Sequence, residues 1–353
     1  MLIALYATSG DINLRYIGSK IRILDFITSV IDATYGDVSD CVFADLFAGT
    51  ACVAEAFKQK GATIICNDYM YFSYALQIAK IKINTLPICK ISYEQALSIL
   101  NGIDGVEGFF TKEYTLEGTH GQKYKRNYFS LSNAMKIDAI CTQLKYWLSN
   151  EAINSDMYYL LAACLIDAIT RVSNTSGTYG AFLKTDDARK SKPIFLQAID
   201  ITSNSRNNQC YCEDILSLIH KVEGDILYLD PPYNSRQYPP YYHILETAVL
   251  YDNPDIYGIT GRRHYEEKLS PFCMKDKALP AMVHIVKCAK FKHIYISYST
   301  DGIIPYNIMM DKLSSVGSVH CFYRDYRRYK SNDGGSEKKP LKEIIIYVKK
   351  DCE

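Results

Sequence analysis

The residues Asp230-Pro231-Pro232-Tyr233 place a carboxylate, two rigid prolines and an aromatic ring directly after an apolar run at 225–229. Proline cannot continue a central strand, and its ring restricts the backbone. The tetrapeptide is therefore expected to hold one carboxylate, one carbonyl and one ring at the end of a strand. Open α/β sheets bind ligands at the carboxyl ends of their strands. A plain strand followed by a Pro-Pro turn is the alternative interpretation.

This arrangement suits the activation of an exocyclic amine such as that of adenine, whose lone pair is delocalised into the ring. The Asp230 carboxylate and the Pro231 carbonyl can each accept a hydrogen bond from the amine, which favours a pyramidal nitrogen with a localised lone pair. The Tyr233 ring can stack on the base. Catalysis would then consist mostly of orientation and of stabilising the developing positive charge. The electrophile would be a sulfonium methyl group.

A second candidate site is the segment 45–51, Asp-Leu-Phe-Ala-Gly-Thr-Ala, which follows a predicted strand and precedes a predicted helix. Gly49 lets the backbone approach a ligand closely, and the helix N-terminus offers free N–H groups. Asp68 stands at the end of the next strand, where a carboxylate can bind both hydroxyls of a ribose. A single glycine in place of G-x-G-x-x-G argues against a dinucleotide and for an adenosyl ligand without phosphates. Taken alone, the segment could equally be a plain turn.

Short apolar runs predict the strands that must position these residues, and helical patterns fall between several of them. This alternation favours a parallel α/β sheet. The last two runs are joined by an irregular segment without a helical pattern, which predicts a long hairpin at a sheet edge. The predicted strands are 42–46, 63–66, 209–212, 225–229, 293–297, 319–323 and 343–348, and the helical patterns are 51–60, 72–83, 216–221 and 278–289.

The segment 85–206 breaks this alternation, because it contains helical patterns at 131–148 and 157–171 and then a polar stretch ending near Lys192. The second of these helices is apolar almost all round, so we expect it to be buried. The sequence therefore predicts a catalytic domain formed by residues 1–84 and 207–353, with an inserted, mainly helical domain at 85–206.

The composition is that of a globular chain with balanced charge. Of 353 residues, 48% are hydrophobic and 22% charged, so a packed core is expected. The 40 Lys and Arg against 39 Asp and Glu give a net charge of +1. This balance excludes a strongly basic, histone-like DNA binder but not an enzyme whose basic residues cluster on one face.

Neither a membrane span nor a signal peptide is predicted. The longest apolar run, 158–166, is far shorter than the roughly 20 residues that cross a bilayer.

The 12 cysteines are scattered without any C-x-x-C pair, which indicates reduced thiols in a cytoplasm and no structural zinc. His284, Cys288 and His293 have loose metal-like spacing without a fourth ligand, so we interpret them as structural and predict no metal.

With these motifs the chain resembles the Dam-like family of DNA adenine-N6 methyltransferases, and more closely the methylases of type II restriction systems. Residues 15–20, Arg-Tyr-Ile-Gly-Ser-Lys, resemble the family's N-terminal motif, in which the lysine lies by the cofactor and the aromatic residue by the target base. Residues 45–51 resemble its cofactor loop, D-x-F-x-G-[ST]-G, with Ala51 in place of the last glycine. Residues 230–233 match its catalytic motif without departure.

The resemblance implies a fold, a cofactor and a set of site residues. The fold is a seven-stranded Rossmann-like methyltransferase sheet, mostly parallel with the last strand antiparallel, and the inserted domain recognises the DNA target. The cofactor is S-adenosylmethionine, with no metal. The implied cofactor-binding residues are Tyr16, Lys20, Asp45, Phe47, Gly49, Thr50, Asp68, Asp214 and Asp230, and the catalytic residues are Asp230, Pro231, Pro232 and Tyr233.

Residues 171–180 are similar to the family's R-x-N-x-x-G-x-[FY] stretch, a hairpin that touches DNA. Basic clusters near this stretch, after residue 233 and near residue 326 would supply phosphate contacts, although any one of them could be a solvated surface. The resemblance implies Arg171, Asn174, Gly177 and Tyr179 as DNA-binding residues, and the basic clusters add Lys184, Arg236, Arg327, Arg328 and Lys330. His243 and Glu246 could hydrogen-bond across the site, but a core or capping role is favoured.

The sequence therefore predicts a site-specific DNA adenine-N6 methyltransferase that acts on a flipped-out base of double-stranded DNA. It is expected to be a cytoplasmic, bacterial monomer or weak dimer that works beside a separate restriction endonuclease. Three alternatives stay open. The first is an RNA or protein methyltransferase, against which the N-terminal motif and the insertion argue. The second is a cytosine-N4 methyltransferase, which would usually carry Ser at position 230. The third is a non-enzymatic DNA-binding relative, which would be expected to have lost Asp230 or Tyr233.

Overall fold

The computed structural model describes residues 16–326 and 341–351, so Arg327, Arg328 and Lys330 lie outside the described residues. The chain forms two compact units. The sheet unit contains residues 20–69, 206–237 and the described residues from 269 onward, and the helical unit contains 16–19, 70–205 and 238–268. Each unit is defined by its own internal packing. The assignment of a catalytic and a target-recognition domain is functional and stays a prediction.

The sheet unit is built on seven strands. They are β1 (Val42–Asp45), β2 (Thr63–Asn67), β3 (Gln209–Tyr211), β4 (Glu223–Leu229), β7 (Lys290–Ser299), β8 (Gly317–Tyr326) and β9 (Leu341–Lys350). Their order in the sheet is β3-β2-β1-β4-β7-β9-β8. Neighbouring strands from β3 to β7 pair in parallel, whereas β9 is antiparallel to both of its neighbours, β7 and β8. The predicted fold class, a mostly parallel seven-stranded sheet with an antiparallel last strand, is confirmed.

The helices of this unit cover the faces of the sheet. They are α1 (Leu24–Thr34), α2 (Cys52–Gln59), α8 (Ile215–Leu218), α10 (Ala278–Cys288) and α11 (Tyr306–Leu313). The central strands are nearly continuous apolar runs because both faces of a parallel sheet are buried in this way. Phe43, Leu227, Ile294 and Ile346 are fully buried. One core joins strands β1, β4, β7 and β9 with the apolar sides of helices α8, α10 and α11.

The helical unit has a buried helix at its centre. Its helices are α3 (Tyr71–Gln77), α4 (Tyr93–Gly102), α5 (Phe109–Tyr114), α6 (Leu131–Ser149), α7 (Ser155–Val172) and α9 (Pro239–Leu250). Helix α3 continues as a π-helix at Ile78–Lys82. Strands β5 (Ile256–Tyr257) and β6 (Arg262–Arg263) form a two-stranded ribbon. The side chains of α7 are buried on nearly every face, as its sequence predicts. Helices α3, α6 and α9 each pack against α7. None of the helices in the described residues is both long and apolar enough to cross a bilayer.

Candidate active site

Three carboxylates converge at the carboxyl edge of the sheet. Strand β1 ends at Asp45, and its parallel neighbour β4 ends one residue before Asp230. Asp68 directly follows β2 on the other side of β1. Burial raises the pKa of Asp45 well above its ordinary range, and the nearby charges of Asp230 and Asp68 raise it further. This edge is where open α/β sheets bind their ligands.

Asp45 is the most buried of the three, with 1% of its surface exposed. Its Oδ1 atom is buried without a hydrogen-bond partner. Amides at Phe47 and Ala54 only partly offset the rise of its pKa that burial causes. An unsatisfied buried polar group costs about 1–3 kcal/mol. A protein retains such a cost where a ligand supplies the missing partner, so Asp45 Oδ1 fits a positively charged or hydrogen-bond-donating group of a bound cofactor.

The loop after β1 is tied to the end of β2. The Gly49 amide donates to Asp68 Oδ2 at 2.9 Å, and the Ala48 amide donates to the Asn67 carbonyl at 2.9 Å. Gly49 has φ +52° and Ala51 has φ +61°, both in the left-handed region. Ala51 therefore keeps the backbone conformation that the family's glycine would adopt, at a cost of about 1–2 kcal/mol for a residue with a Cβ.

Asn67 connects the ends of three strands, and no motif in the sequence marks it. Its side-chain amide donates to the Leu46 carbonyl and to the Glu213 carbonyl, both at 3.2 Å. Its side-chain oxygen accepts from the Glu213 amide at 3.0 Å. The next residue, Asp214, caps α8 by accepting from the Leu216 amide at 2.8 Å and is exposed. Asp68 and Asp214, which the resemblance implies as cofactor-binding residues, thus both follow residues of this hydrogen-bonded connection.

A buried ion pair joins the N-terminal motif to the catalytic motif. Lys20 Nζ lies 3.0 Å from Asp230 Oδ1, with side-chain exposures of 6% and 17%. Burial alone would lower the pKa of Lys20, but the carboxylates of Asp230 and Glu343 outweigh it, so its pKa lies above the ordinary value. Burial raises the pKa of Asp230 above its ordinary 3.8, although Lys20 opposes this rise. Lys20 thus remains an ammonium group and favours the ionised form of Asp230.

Glu343 on β9 is a further buried carboxylate near this pair. It lies opposite Ser299 of β7, is 6% exposed, and has no hydrogen-bond partner at Oε2. Burial raises its pKa, while the charge of Lys20 acts in the opposite direction. Two carboxylates therefore share one ammonium group. In the sequence, the only signal of this residue is a charged side chain at the start of an otherwise apolar strand.

Tyr233 is anchored from both its backbone and its ring. Its carbonyl accepts from the Ile303 amide at 2.9 Å, and its ring meets that of Tyr298 edge-on with centroids 6.0 Å apart. Lys20 Nζ lies 5.6 Å from the Tyr233 ring centroid. Burial raises the pKa of the Tyr233 hydroxyl to about 12, so it stays neutral. The structure thus brings a carboxylate, an ammonium group and a held ring together at one strand end.

Phe47 and Thr50 lie in the loop after β1, whereas Pro231 and Pro232 lie in the loop after β4. Phe47 is half-buried and meets the Phe272 ring edge-on with centroids 5.1 Å apart, and Thr50 is half-buried at the turn. Pro231 is buried and Pro232 half-buried, which holds the backbone beside Asp230. Phe47 therefore closes the loop against the core.

Tyr16 lies in an aromatic cluster of the helical unit. Its ring stacks on Tyr242 with centroids 5.0 Å apart at 22°, and Tyr238 and Phe72 flank it. The backbone is held at the next residue, since the Ile17 amide donates to the Tyr242 hydroxyl at 2.7 Å and the Tyr238 hydroxyl donates to the Ile17 carbonyl at 3.2 Å. Helix α9 thus fixes the start of the N-terminal motif.

Asn174 and Tyr179 of the predicted DNA hairpin are buried. The Asn174 amide donates to the Asn127 and Leu183 carbonyls, and its oxygen accepts from the Asp187 amide at 2.9 Å. Such saturated bonding closes the loop from 174 to 187. The structure forms no strands in this segment, so the predicted hairpin is a loop, and we expect Asn174 to fix its shape.

The remaining predicted DNA residues differ in their exposure. Arg171 is half-buried and forms an ion pair with Asp167 at 2.6 Å, and Gly177 is half-buried with φ +137°. Lys184 and Arg236 are exposed. Arg263, in the same connection as Arg236, forms an ion pair with Asp252, and Arg324 with Asp25. Among the predicted DNA-binding residues that the structure describes, Lys184 and Arg236 are therefore the exposed basic side chains.

His243 and Glu246 of α9 are core residues, as their sequence setting favours. Burial lowers the pKa of His243 to about 3, so its ring is neutral, and its Nε2 lies 3.0 Å from the Tyr179 carbonyl. Glu246 accepts from the Phe72 amide at 3.0 Å and from Lys268 Nζ at 2.8 Å. Both side chains stabilise the packing of α9 within the helical unit.

Comparison with known proteins gives a specific match. A family model described as D12 class N6 adenine-specific DNA methyltransferase matches residues 16–312. The Type II methyltransferase M.FokI of Planomicrobium okeanokoites is 41% identical over 348 residues, which are 96% of this chain and 53% of that protein. The Type II methyltransferase M.NlaIII of Neisseria lactamica is 36% identical over 320 residues, 90% of this chain and 93% of that protein.

The chain thus spans about half the length of M.FokI and nearly all of M.NlaIII. Among solved structures, the crystal structure of a putative RNA methyltransferase, PH1948 from Pyrococcus horikoshii, covers 94% of this chain and 85% of its own, with a TM-score of 0.32 and 9% identity. A likeness of that size carries no argument about function. On the family match and the two relatives, the chain belongs to the D12 class of N6 adenine-specific DNA methyltransferases.

Proposed function

We propose that this chain transfers the methyl group of S-adenosylmethionine to N6 of an adenine in double-stranded DNA, at a specific site, as the modification enzyme of a type II restriction–modification system. The buried Lys20–Asp230 ion pair beside the Tyr233 ring supports this proposal most directly. The family match adds the class of substrate, since its members are described as N6 adenine-specific DNA methyltransferases. The relatives, which are named type II methyltransferases, support the setting of a type II system.

In this proposal Asp230 and Pro231 accept the two hydrogen bonds of the target amine, and Tyr233 stacks on the base. With Asp230 Oδ1 held by Lys20, we assign Oδ2 to the amine. The nitrogen would gain positive charge as its bond to the methyl carbon forms and the bond between that carbon and the sulfonium sulfur breaks, which leaves a neutral thioether. The net negative charge of Asp230, Lys20 and Glu343 would stabilise this positive charge. The N6 proton would pass to solvent water after transfer, when the amine has become acidic. The base must leave the double helix to reach this edge, at an unstacking cost of a few kcal/mol.

The residues present fit the proposed cofactor. When bound, S-adenosylmethionine supplies an electrophilic methyl group on a sulfonium. Asp68, held by the Gly49 amide, would bind its ribose hydroxyls. The unpartnered Asp45 Oδ1 would accept a bond from its ammonium group. Lys20, Phe47, Thr50 and Asp214 would line the same site. The resemblance also implies a role in cofactor binding for Tyr16.

The wider setting follows from the same proposal. A modification enzyme methylates the DNA site that a separate endonuclease would otherwise cleave. The proposed binding partner of this chain is therefore that DNA site, and the endonuclease is expected to act separately. We expect the chain to work in a bacterial cytoplasm, as a monomer or weak dimer. The alternative function is methylation of RNA, so the methyl-transfer assay described below includes RNA as a second substrate.

The test is long-read sequencing of DNA from cells that express the chain, combined with transfer of labelled methyl groups to plasmid DNA and to total RNA in vitro. We expect N6-methyladenine at one short motif in DNA and no labelled RNA. Asp230→Ala should abolish transfer but leave cofactor binding largely intact, because Asp230 acts on the amine. Labelled RNA with unlabelled DNA would overturn the proposal, and so would an Asp230→Ala rate within tenfold of wild type.

A further inference from the structure

Three side chains with nitrogen and sulfur donors converge on the outer surface of the sheet unit, away from the carboxyl edge. His220 follows α8, and His284 and Cys288 lie on α10. One donor atom from each lies within 4.8 Å of the other two. Within residues 16–326 and 341–351, this is the only such group that we find. The sequence spacing groups His284 and Cys288 with His293, but His293 instead contacts the Tyr347 hydroxyl at 2.7 Å.

The fold fixes the positions from which these side chains project. His284 and Cys288 are four residues apart, so they lie on one face of α10. The opposite face of α10 is buried through Met282, Ile285 and other apolar side chains. Leu218, at the end of α8, is buried in the same core, and α8 packs against α10. The core therefore holds in place the segments from which the three donors project.

The distances suit a metal ion. Cys288 Sγ lies 3.8 Å from His284 Nδ1 and 3.9 Å from Nε2, and the rings of His220 and His284 have centroids 5.6 Å apart. In a tetrahedral zinc site with Zn–S about 2.3 Å and Zn–N about 2.0–2.1 Å, a sulfur and a nitrogen ligand are about 3.6 Å apart. Rotation of these surface side chains is enough to close the remaining difference.

The donor set selects the class of ion. Two imidazoles and a thiol suit zinc and neighbouring transition metals, whereas magnesium and calcium prefer oxygen ligands. We propose that His220, His284 and Cys288 bind one zinc ion, with water in the fourth position, and that the ion clamps α8 to α10. This inference is independent of the proposed function, because the residues proposed for methyl transfer lie at the carboxyl edge and not in this group.

The clamp has a structural purpose. Helix α8 has only four residues, Ile215–Leu218, and so short a helix is marginal on its own. Its first turn is capped by Asp214, and its far end is followed by His220. An ion bound to His220 and α10 would hold that far end, so zinc should stabilise the folded state.

Cobalt(II) is the probe for this site, because a thiolate ligand gives it a charge-transfer band in the near ultraviolet. The untagged full chain, kept reduced, would be titrated with cobalt and then with zinc. We expect one equivalent of cobalt to produce the band, zinc to displace it, and the thermal midpoint to rise with zinc. Cys288→Ser should remove the band, and His220→Ala or His284→Ala should weaken binding by roughly tenfold or more.

The matched control is His320→Ala, which removes an exposed histidine of β8 in the same unit and should leave the titration unchanged. Circular dichroism of each variant without metal shows whether it is folded. The proposal is overturned if the folded wild-type chain gives no thiolate band, or if the band persists in Cys288→Ser. Loss of binding in His320→Ala comparable to that in His284→Ala would also overturn it.

Discussion

The ammonium group of Lys20 sets the charge of the proposed reaction site, because it is buried beside the carboxylates of Asp230 and Glu343, which would otherwise repel one another. It contacts Asp230 directly, and its charge opposes the rise that burial causes in the pKa of Asp230 and of Glu343. The ionised form of Asp230 is the form that accepts a hydrogen bond from an amine. Lys20 is therefore as important for the protonation state of Asp230 as for its position.

Replacing Lys20 by methionine should move the pH dependence of methyl transfer. Without the ammonium group, burial raises the pKa of Asp230 further, so the acidic limb of the kcat profile shifts to higher pH. A carboxyl group whose pKa is raised on folding binds its proton more tightly in the folded state than in the unfolded state, so stability falls as the pH rises above the ordinary pKa. The free energy of unfolding of the Lys20→Met protein should therefore fall more steeply above pH 3.8 than that of the wild type. Rate and denaturation profiles from pH 5 to 9 check this, and an unshifted acidic limb contradicts it.

Replacing Glu343 by glutamine should separate stability from activity. The change removes a buried carboxyl whose raised pKa lowers stability once the pH exceeds its ordinary 4.5, so the free energy of unfolding should increase at pH 8. The turnover number should fall, because the site loses one negative charge that stabilises the transition state, while the cofactor dissociation constant stays within about threefold. Glu343→Asp is the control and should recover part of the turnover. Equal turnover for wild type and Glu343→Gln would exclude a role in the reaction.

At the scale of elements, short connections determine the geometry of the cofactor loop. The turn between β1 and α2 places two left-handed residues, Gly49 and Ala51, on either side of Thr50. The Gly49 amide, Asp68 and the Asn67 side chain then join the ends of β1, β2 and β3. These bonds make the cofactor edge rigid before any ligand binds.

Ala51→Gly should stabilise the protein, because glycine adopts φ +61° without the steric cost that alanine carries there. We expect the free energy of unfolding to rise by about 1 kcal/mol, with methyl transfer retained. Ala54→Gly, inside α2, is the control and should destabilise by about 0.5–1 kcal/mol. Chemical denaturation of both variants measures the effect, and a less stable Ala51→Gly protein would refute the account of strain.

Much of this architecture was predictable, because strands and turns are local features of the sequence. All seven predicted runs are strands of the sheet, and the two long helices of the insertion fall at 131–149 and 155–172. The contributions of Asn67 and Glu343 were not predictable, because they depend on which strands are neighbours. The burial of Asn174 was not predictable for the same reason, because it depends on which segments pack around the loop, although the resemblance implies a contact with DNA.

For the whole molecule, a net charge of +1 means that DNA binding must come from local clusters rather than from overall attraction. Lys184 and Arg236 are exposed, whereas several other basic residues of the predicted clusters are paired with acids within the protein. The affinity for DNA should therefore depend on few phosphate contacts.

The logarithm of DNA affinity should fall linearly with the logarithm of salt concentration, and Lys184→Gln or Arg236→Gln should each reduce that slope by about 1. Lys60→Gln is the control, because Lys60 is bound to Asp32 at 2.7 Å, and it should leave the slope unchanged. Fluorescence anisotropy with a labelled duplex at several salt concentrations gives these slopes. A slope unaffected by both substitutions would place the phosphate contacts elsewhere.

The position of β9 between β7 and β8 has a consequence for synthesis on the ribosome. Strand β8 is translated before β9, yet it is hydrogen-bonded only to β9 in the sheet. A nascent chain that ends before residue 341 therefore leaves β7 as an unpaired, apolar edge that invites aggregation. Such a chain also lacks Glu343, so the reaction site becomes complete only once translation has passed the final strand of the sheet.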